Sequence, residues 1–246
     1  MSRLLCTLFL FTLVAPTLKA AETLKGDHVK ISWIAPSHFT GDVETVGIRF
    51  EIEDHWHIYW KNPGDSGTAP KFQFTSASVD VGVTAWPTPK RFPISGMTNI
   101  GYEKDVVFPF LLTPKTGIKD VEIKADLEWL VCKEECLPGS GVLTLKRPID
   151  KKPAKWANAE LLDRALQRSP QTAASSAWTI EKAERIGEEL VLTLTSNKGA
   201  ALSSVQVFPV EMEFLAPAEP KISDDGKSLR FAVQGEKPNP ASISFV

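Results

Sequence analysis

The feature that most restricts the fold is a succession of short apolar runs, each closed by proline or glycine. "VGIRFEIE" (46–53) sets Val46, Ile48, Phe50 and Ile52 against Gly, Arg and Glu. "VEIKADLEWLV" (121–131) repeats the alternation with Val121, Ile123, Ala125 and Leu127. "HVKISWIA" (28–35), "KFQFT" from Lys71 and "VLTLKR" from Val142 are shorter examples. A period of two puts alternate side chains on opposite faces of a strand. "VVFPFLLT" (106–113) is apolar on both faces, and Pro109 within it favours an edge or a bend. Turn-rich stretches intervene, notably "NPGDSG" (62–67) and "WPTPKRFPISG" (86–96). Regularly spaced short strands between such turns predict an all-β sandwich or barrel.

The strand pattern breaks at "KKPAKWANAELLDRALQRS" (151–169). Ala157, Leu161 and Ala165 form a helical stripe with Leu162 and Leu166 beside it, and Pro153 suits a first turn. "SPQTAASSA" (169–177) then reads as a linker. A second strand-rich block follows, with "AWTIEKAER", "ELVLTLTS", "VQVFPVEMEF" and "KISDDGKSLRFAVQ". Asp225-Gly226 between apolar runs signals a hairpin. This second block has neither cysteine nor histidine, so it is expected to be a structural or docking module.

The first residues, "MSRLLCTLFLFTLVAPTLKAAE", combine Arg3, an apolar run over 4–15 and the small residue Ala20. That is the layout of a secretory signal peptide over residues 1–20. The run falls short of the about 20 apolar residues of a membrane span. Its removal takes Arg3 and Lys19 and no acid, so the formal charge of −2 becomes more negative by two. No Lys/Arg run or basic stripe points to nucleic acid. The expected mature protein is exported and soluble.

Export gives meaning to the 3 cysteines. Cys6 leaves with the leader, and Cys132 and Cys136 remain, in an oxidising compartment where disulfides persist. Run straight, a strand would hold their Cα atoms roughly 13 Å apart, at about 3.3 Å per residue. A disulfide needs about 4.4–6.8 Å. An oxidised pair therefore requires a turn within "CKEEC", for which one helical turn suffices. Trp129 then lies at a strand end, the pair sits on a loop at a sheet edge, and Pro138-Gly139 carries the chain away. A loop of about five residues gives a staple only roughly 2 kcal/mol in the chain-entropy account. A small loop that opens with little rearrangement suits thiol–disulfide exchange. Structural bonding and metal binding stay open at this spacing. Glu134 and Glu135 beside the sulfurs disfavour a thiolate, which would make the reduced pair a willing electron donor.

In "DHWHIYW", His55 and His57 are two apart and would share a face on a strand. With the cysteines they could ligate zinc or copper. The plainer reading is that one packs on tryptophan and the other is solvated. Neither a G-x-S-x-G elbow nor an H-E-x-x-H motif is present.

Three blocks carry a family resemblance: "HWHIYWKNPGDSG", "WPTPKRFPISGMTNIGYEKDVVFPFLLTP" and "ADLEWLVCKEECLPGSGVLTL". In order and spacing they resemble the N-terminal periplasmic domain of DsbD thiol:disulfide interchange proteins, most closely the ScsB-like branch. The likeness spans about 21–148. The block from Trp178 looks like the further immunoglobulin-like domain of ScsB-like proteins. The resemblance implies an immunoglobulin-like β-sandwich over 21–150, a helix and linker over 151–176, and a second small β-sandwich over 177–246. It implies that Cys132 forms mixed disulfides and Cys136 resolves them. It implies a shielding cap within "NIGYEKD", with Tyr102 as its aromatic, Ile100 as the alternative and Asn99 at its start. Tyr59 and Trp60 fall where the family places aromatics near the pair. The best-known members separate their cysteines by more than three residues, so this turn is tighter.

The implied function is electron shuttling in the periplasm without a cofactor. A membrane-embedded thiol transporter of DsbD or CcdA type would donate, as a separate protein, because the family's multi-span and thioredoxin-like parts do not occur in these 246 residues. Thioredoxin-like or isomerase proteins would accept. The alternative is a non-enzymatic exported sandwich that binds a partner or copper and carries a structural disulfide.

Overall fold

The computed structural model describes residues 21–170, 176–211, 214–234 and 244–245. The predicted leader, 1–20, lies outside the described residues, as does 171–175 of the predicted linker. Eleven strands come first: β1 (Thr23–Gly26), β2 (Val29–Ile34), β3 (Glu44–Ile52), β4 (His57–Gly64), β5 (Lys71–Thr75), β6 (Val79–Val81), β7 (Lys90–Ile94), β8 (Met97–Glu103), β9 (Asp105–Pro114), β10 (Asp120–Cys132) and β11 (Cys136–Pro148). Helix α1 (Ala159–Arg168) follows, then β12 (Trp178–Ile186), β13 (Glu189–Ser196), β14 (Lys221–Ile222) and β15 (Ser228–Ala232).

The first eleven strands form an all-β, immunoglobulin-like sandwich of two antiparallel sheets. One has the order β1-β2-β3-β9-β6; the other runs β11-β10-β4-β8-β7, with β5 added to β10. Between them the alternating positions read from sequence meet: Ile31, Ile48, Phe50, Phe108 and Phe110 from one sheet, Ile58, Trp60, Ile123 and Leu127 from the other. Phe72 packs edge-on to Phe50 and Phe110, with centroids 6.2 and 5.2 Å apart. Each such ring contributes about 1.5–3 kcal/mol on burial, so this layer dominates the stability of the sandwich. Pro109 lies inside β9 opposite Gly47, and on its other side its carbonyl accepts the Ala85 N–H at 3.0 Å.

Strand β10 is long enough to serve two neighbours. Its middle pairs with β5 and its last two residues pair with β4. On its other side it pairs with β11 in unbroken register from Asp120↔Pro148 to Cys132↔Cys136. The cysteine turn is therefore the tip of a β-hairpin, not a helical turn. Pro138-Gly139 does not leave the sheet but continues β11 opposite Leu130 and Trp129. As an edge strand, β11 tolerates the missing proline N–H.

Helix α1 starts later than the stripe predicted. Asn158, in the left-handed conformation, caps it, and Pro153 lies in a preceding segment whose Lys155 carbonyl accepts the Ser37 N–H at 2.8 Å. Leu162 and Ala165 bury against Ile34 and Val107 on the outer face of the first sheet, while Leu166 is exposed. The helix thus covers the sandwich.

In the second block the sheet order is β12-β13-β15-β14, and the Asp225-Gly226 turn joins β14 to β15 as predicted. "VQVFPVEMEF" does not add the expected strand among the described residues. Its consecutive apolar side chains divide between two cores: Val207 packs under the second sheet with Leu192 and Phe231, whereas Phe208 enters the core of the first sandwich. A residue pair serving two cores cannot also keep a ladder register, and Pro209 has no N–H for one. Among the described residues no helix is long and apolar enough to cross a membrane.

Candidate functional site

Cys132 and Cys136 are disulfide-bonded, with Cα atoms 4.2 Å apart across the hairpin tip. Directly opposed strand residues lie about 4.5–5.5 Å apart, so the hairpin itself brings the sulfurs within bonding reach. The two cysteines differ in exposure. Cys132 is 2% exposed, while Cys136 is exposed. Lys133, Glu134 and Glu135 form the exposed turn between them, closed by a Lys133 N–H to Glu135 carbonyl bond of 3.0 Å.

Register decides what surrounds the bond. Cys132 stands opposite His57, and His57 opposite Glu103; Tyr59 stands opposite Gly101, and Gly101 opposite Lys90. These residues share the outer face of the second sheet. Tyr59 Oη lies 3.6 Å from Cys136 Sγ. A disulfide sulfur carries no proton, so the hydroxyl donates. Burial pushes the Tyr59 pKa up, against a smaller opposing pull from Ser66, which keeps that hydroxyl protonated. Ser66 Oγ donates to Asn99 Oδ1 at 2.9 Å. Gly67 has φ +89°, and a Cβ there would fall 2.1 Å from the Tyr59 ring, so only glycine lets the "NPGDSG" turn lie on that ring. His57 stacks on Phe92 at 5.1 Å and meets Tyr59 edge-on at 5.2 Å. Glu103 binds Lys90 at 2.6 Å, and this bond holds its carboxyl below the ordinary range.

The opposite face of the same strands takes several residues expected beside the pair. Tyr102 is not a cap: it is 4% exposed, packs on Phe108 at 5.5 Å, and donates its hydroxyl to the Pro87 carbonyl at 2.7 Å. Ile100 is likewise in the sandwich core, whereas Asn99 is buried on the disulfide face itself, opposite Phe92 and bonded by Ser66. The stretch "NIGYEKD" reads as a loop in sequence but lies almost wholly in β8, between β4 and β7, where alternation turns Tyr102 and Ile100 inward. Trp60 faces the core for the same reason and packs on Phe208 at 6.1 Å. Trp129 sits behind the site in that core, its indole against Gly139, where a Cβ would come within 2.3 Å. His55 does not share a face with His57: it precedes β4 in a turn with φ 71° and is exposed. Among the described residues no group of three or more His, Cys, Asp and Glu is arranged to hold a metal ion.

Sequence reasoning missed Ser66, Gly67, Phe92 and Glu103. The signal for the first two is the Gly-rich turn following Tyr59. The other two follow once β8 is read as a strand.

The second block reaches both flanks of the site. Asn62 Nδ2 donates to the carbonyls of Pro209 and Glu211 at 2.9 and 3.2 Å, while its Oδ1 accepts the Gly64 N–H at 3.1 Å. Arg91, next to Phe92, donates to the Val207 and Pro217 carbonyls at 2.6 and 2.7 Å and lies 4.4 Å from the Phe208 ring centroid.

A family model described as "Thiol:disulfide interchange protein DsbD, N-terminal" matches residues 25–148. The chain belongs to the DsbD N-terminal family. The match spans the first sandwich from the end of β1 to β11, including the disulfide hairpin, and makes this sandwich a thiol:disulfide interchange domain. Among solved structures, the N-terminal periplasmic domain of ScsB from Proteus mirabilis aligns at 22% identity and a TM-score of 0.66, over 91% of this chain and 90% of that one. That likeness extends the shared fold through the second block. The reduced N-terminal domain of DsbD from Neisseria meningitidis aligns over 53% of this chain and 90% of that one at 15% identity, but its TM-score of 0.28 carries no structural argument. No curated protein matches the sequence.

Proposed function

We propose that the chain is a periplasmic thiol:disulfide interchange module that carries electrons on the Cys132–Cys136 pair. The observation that carries this is Cys136, exposed at a hairpin tip with its sulfur hydrogen-bonded by Tyr59, in a DsbD N-terminal domain. Exchange requires a thiolate to reach a sulfur in line with the bond that breaks. Cys136, exposed at the tip, is the more accessible of the two, whereas Cys132 is 2% exposed. The attacking assignment implied by the resemblance is therefore reversed: Cys136 forms the mixed disulfide and Cys132 resolves it. The signal peptide delivers the chain to the periplasm. A membrane-embedded thiol transporter of DsbD or CcdA type supplies electrons, and thioredoxin-like or isomerase proteins receive them. The second block acts as a brace, holding through Asn62 and Arg91 the turn against Tyr59 and the strand that bears Phe92.

Substitution separates the two sulfurs. Cys132→Ser leaves the exposed thiol and should accumulate disulfide-linked partners in the periplasm; Cys136→Ser should trap several-fold less. Trapping by neither variant, with a native pair that stays oxidised in glutathione buffers down to about −300 mV, would assign the bond to structure instead.

A further inference from the structure

Among the described residues, three buried side-chain nitrogens lack a hydrogen-bond partner: Trp33 Nε1, Trp60 Nε1 and His57 Nε2. The tryptophans can only donate. His57 alone can take up and release a proton, and it is 4% exposed on the face that carries the disulfide, directly across the ladder from Cys132. A buried polar nitrogen left unpaired is destabilising by about 1–3 kcal/mol, so its position requires an explanation.

The chemistry of the buried sulfur offers one. Resting on the interchange reading above, each opening of the disulfide leaves an electron pair on Cys132, where little water reaches it. An unpaired thiolate there is unfavourable, and a proton has to arrive. We propose that His57 is the proton partner of Cys132, handing a proton to its sulfur when the disulfide opens and taking it back when the disulfide closes. The oxidised protein holds His57 Nε2 without a hydrogen-bond partner because that partner forms only on reduction.

The step balances. A donor dithiol attacks Cys136 Sγ as a thiolate; the donor–Cys136 bond forms and the Sγ–Sγ bond breaks, leaving its electron pair on Cys132. That sulfur takes a proton from the imidazolium form of His57, leaving a neutral ring that solvent reprotonates. The donor's second thiol then attacks its own sulfur bonded to Cys136, its proton passing to the released Cys136 sulfur, and the donor leaves as a disulfide. Two electrons pass from the donor to the pair; one proton comes with the second thiol, and the other reaches Cys132 from solvent through His57, replacing the proton the first donor thiol released to solvent.

The surroundings fit a ring that must cycle between charge states. Burial lowers the imidazole pKa, and Glu103 opposite opposes that. Lys90 on β7 and Lys104 after β8 act in turn on Glu103. Tyr59 lies on the same strand, and Lys133, Glu134 and Glu135 occupy the hairpin turn beyond Cys132. Phe92 stacks on the ring and fixes its plane.

The test is the pH profile of reduction of the oxidised full chain by dithiothreitol, with rates divided by thiolate concentration. Wild type should react at least about tenfold faster per thiolate near pH 5.5 than near pH 8, as expected of positioned proton transfer. His57→Phe, which preserves a ring against Phe92, should be slow and flat across that range. In wild type alone, the ¹⁵N signal of His57 Nε2 should move on reduction as it gains its partner. Matching profiles in the two proteins, or an unmoved Nε2 signal, overturns the role of His57 and leaves interchange intact. A disulfide that resists dithiothreitol at every pH overturns the interchange reading itself.

Discussion

Strands β4, β8 and β10 present two faces with opposite chemistry. The inner face carries Ile58, Trp60, Ile100, Tyr102, Trp129 and Val131, packed against the other sheet. The outer face carries His57, Tyr59, Gly101, Glu103 and Cys132, one residue away at every position. Neighbours in sequence thus have unlike tasks: Tyr59 reaches a sulfur while Trp60 fills a core. Because side chains alternate, a rigid, fully packed inner face can position a polar outer face without sharing a residue with it. Chemistry on this sheet is governed by register more than by proximity in the chain.

The most severe way to break the distinction is Tyr102→Ala. Removing a large buried ring should cost about 3–5 kcal/mol of stability, read as a lower urea midpoint. The dithiothreitol reduction rate of the protein that remains folded should change little. A variant that keeps its stability but loses protection of the disulfide would return Tyr102 to the role of a cap.

A smaller effect tests how the second block joins the two faces. Arg91 makes two charge-assisted bonds to carbonyls of that block and stacks on Phe208, while its neighbour Phe92 stacks on His57. Arg91→Ala should destabilise by about 2–3 kcal/mol, the scale of bonds to a charged donor. Reduction of the disulfide should accelerate several-fold as β7 loosens over the site. Equal reduction rates in variant and wild type would confine the second block to a purely structural contact.

These two faces also explain what the sequence made legible. Alternation in 46–53 and 121–131 announced β3 and β10, since burial on one side leaves a period of two. The cysteine spacing required a turn. It could not distinguish a helical turn from a hairpin, because both bring residues four apart together. The cap was misread in "NIGYEKD" because glycine and charged residues there suggest a loop, whereas Gly101 and Glu103 are the outward positions of a strand. Phe208 was legible only as apolar: its membership of the first core depends on contacts over a hundred residues away. The unpaired state of His57 Nε2 is a tertiary property with no signature in the local sequence.

The smallest expected effect is a pH dependence that belongs to the outer face alone. Burial holds the folded His57 pKa below its ordinary value of 6.5, so the unfolded chain binds that proton more readily. The stability His57 contributes is complete above the unfolded pKa and is lost as pH falls through the folded one. Oxidised wild type should therefore lose stability on acidification below about pH 6.5 in urea titrations. His57→Phe should lack this component while retaining the losses from carboxylates such as Glu103, which begin only at lower pH. Tyr102→Phe, a change confined to the inner face, should leave the component in place. Identical slopes near pH 6 in wild type and His57→Phe would mean that the imidazole is hydrated in solution, and that the outer face is wetter than its packing implies.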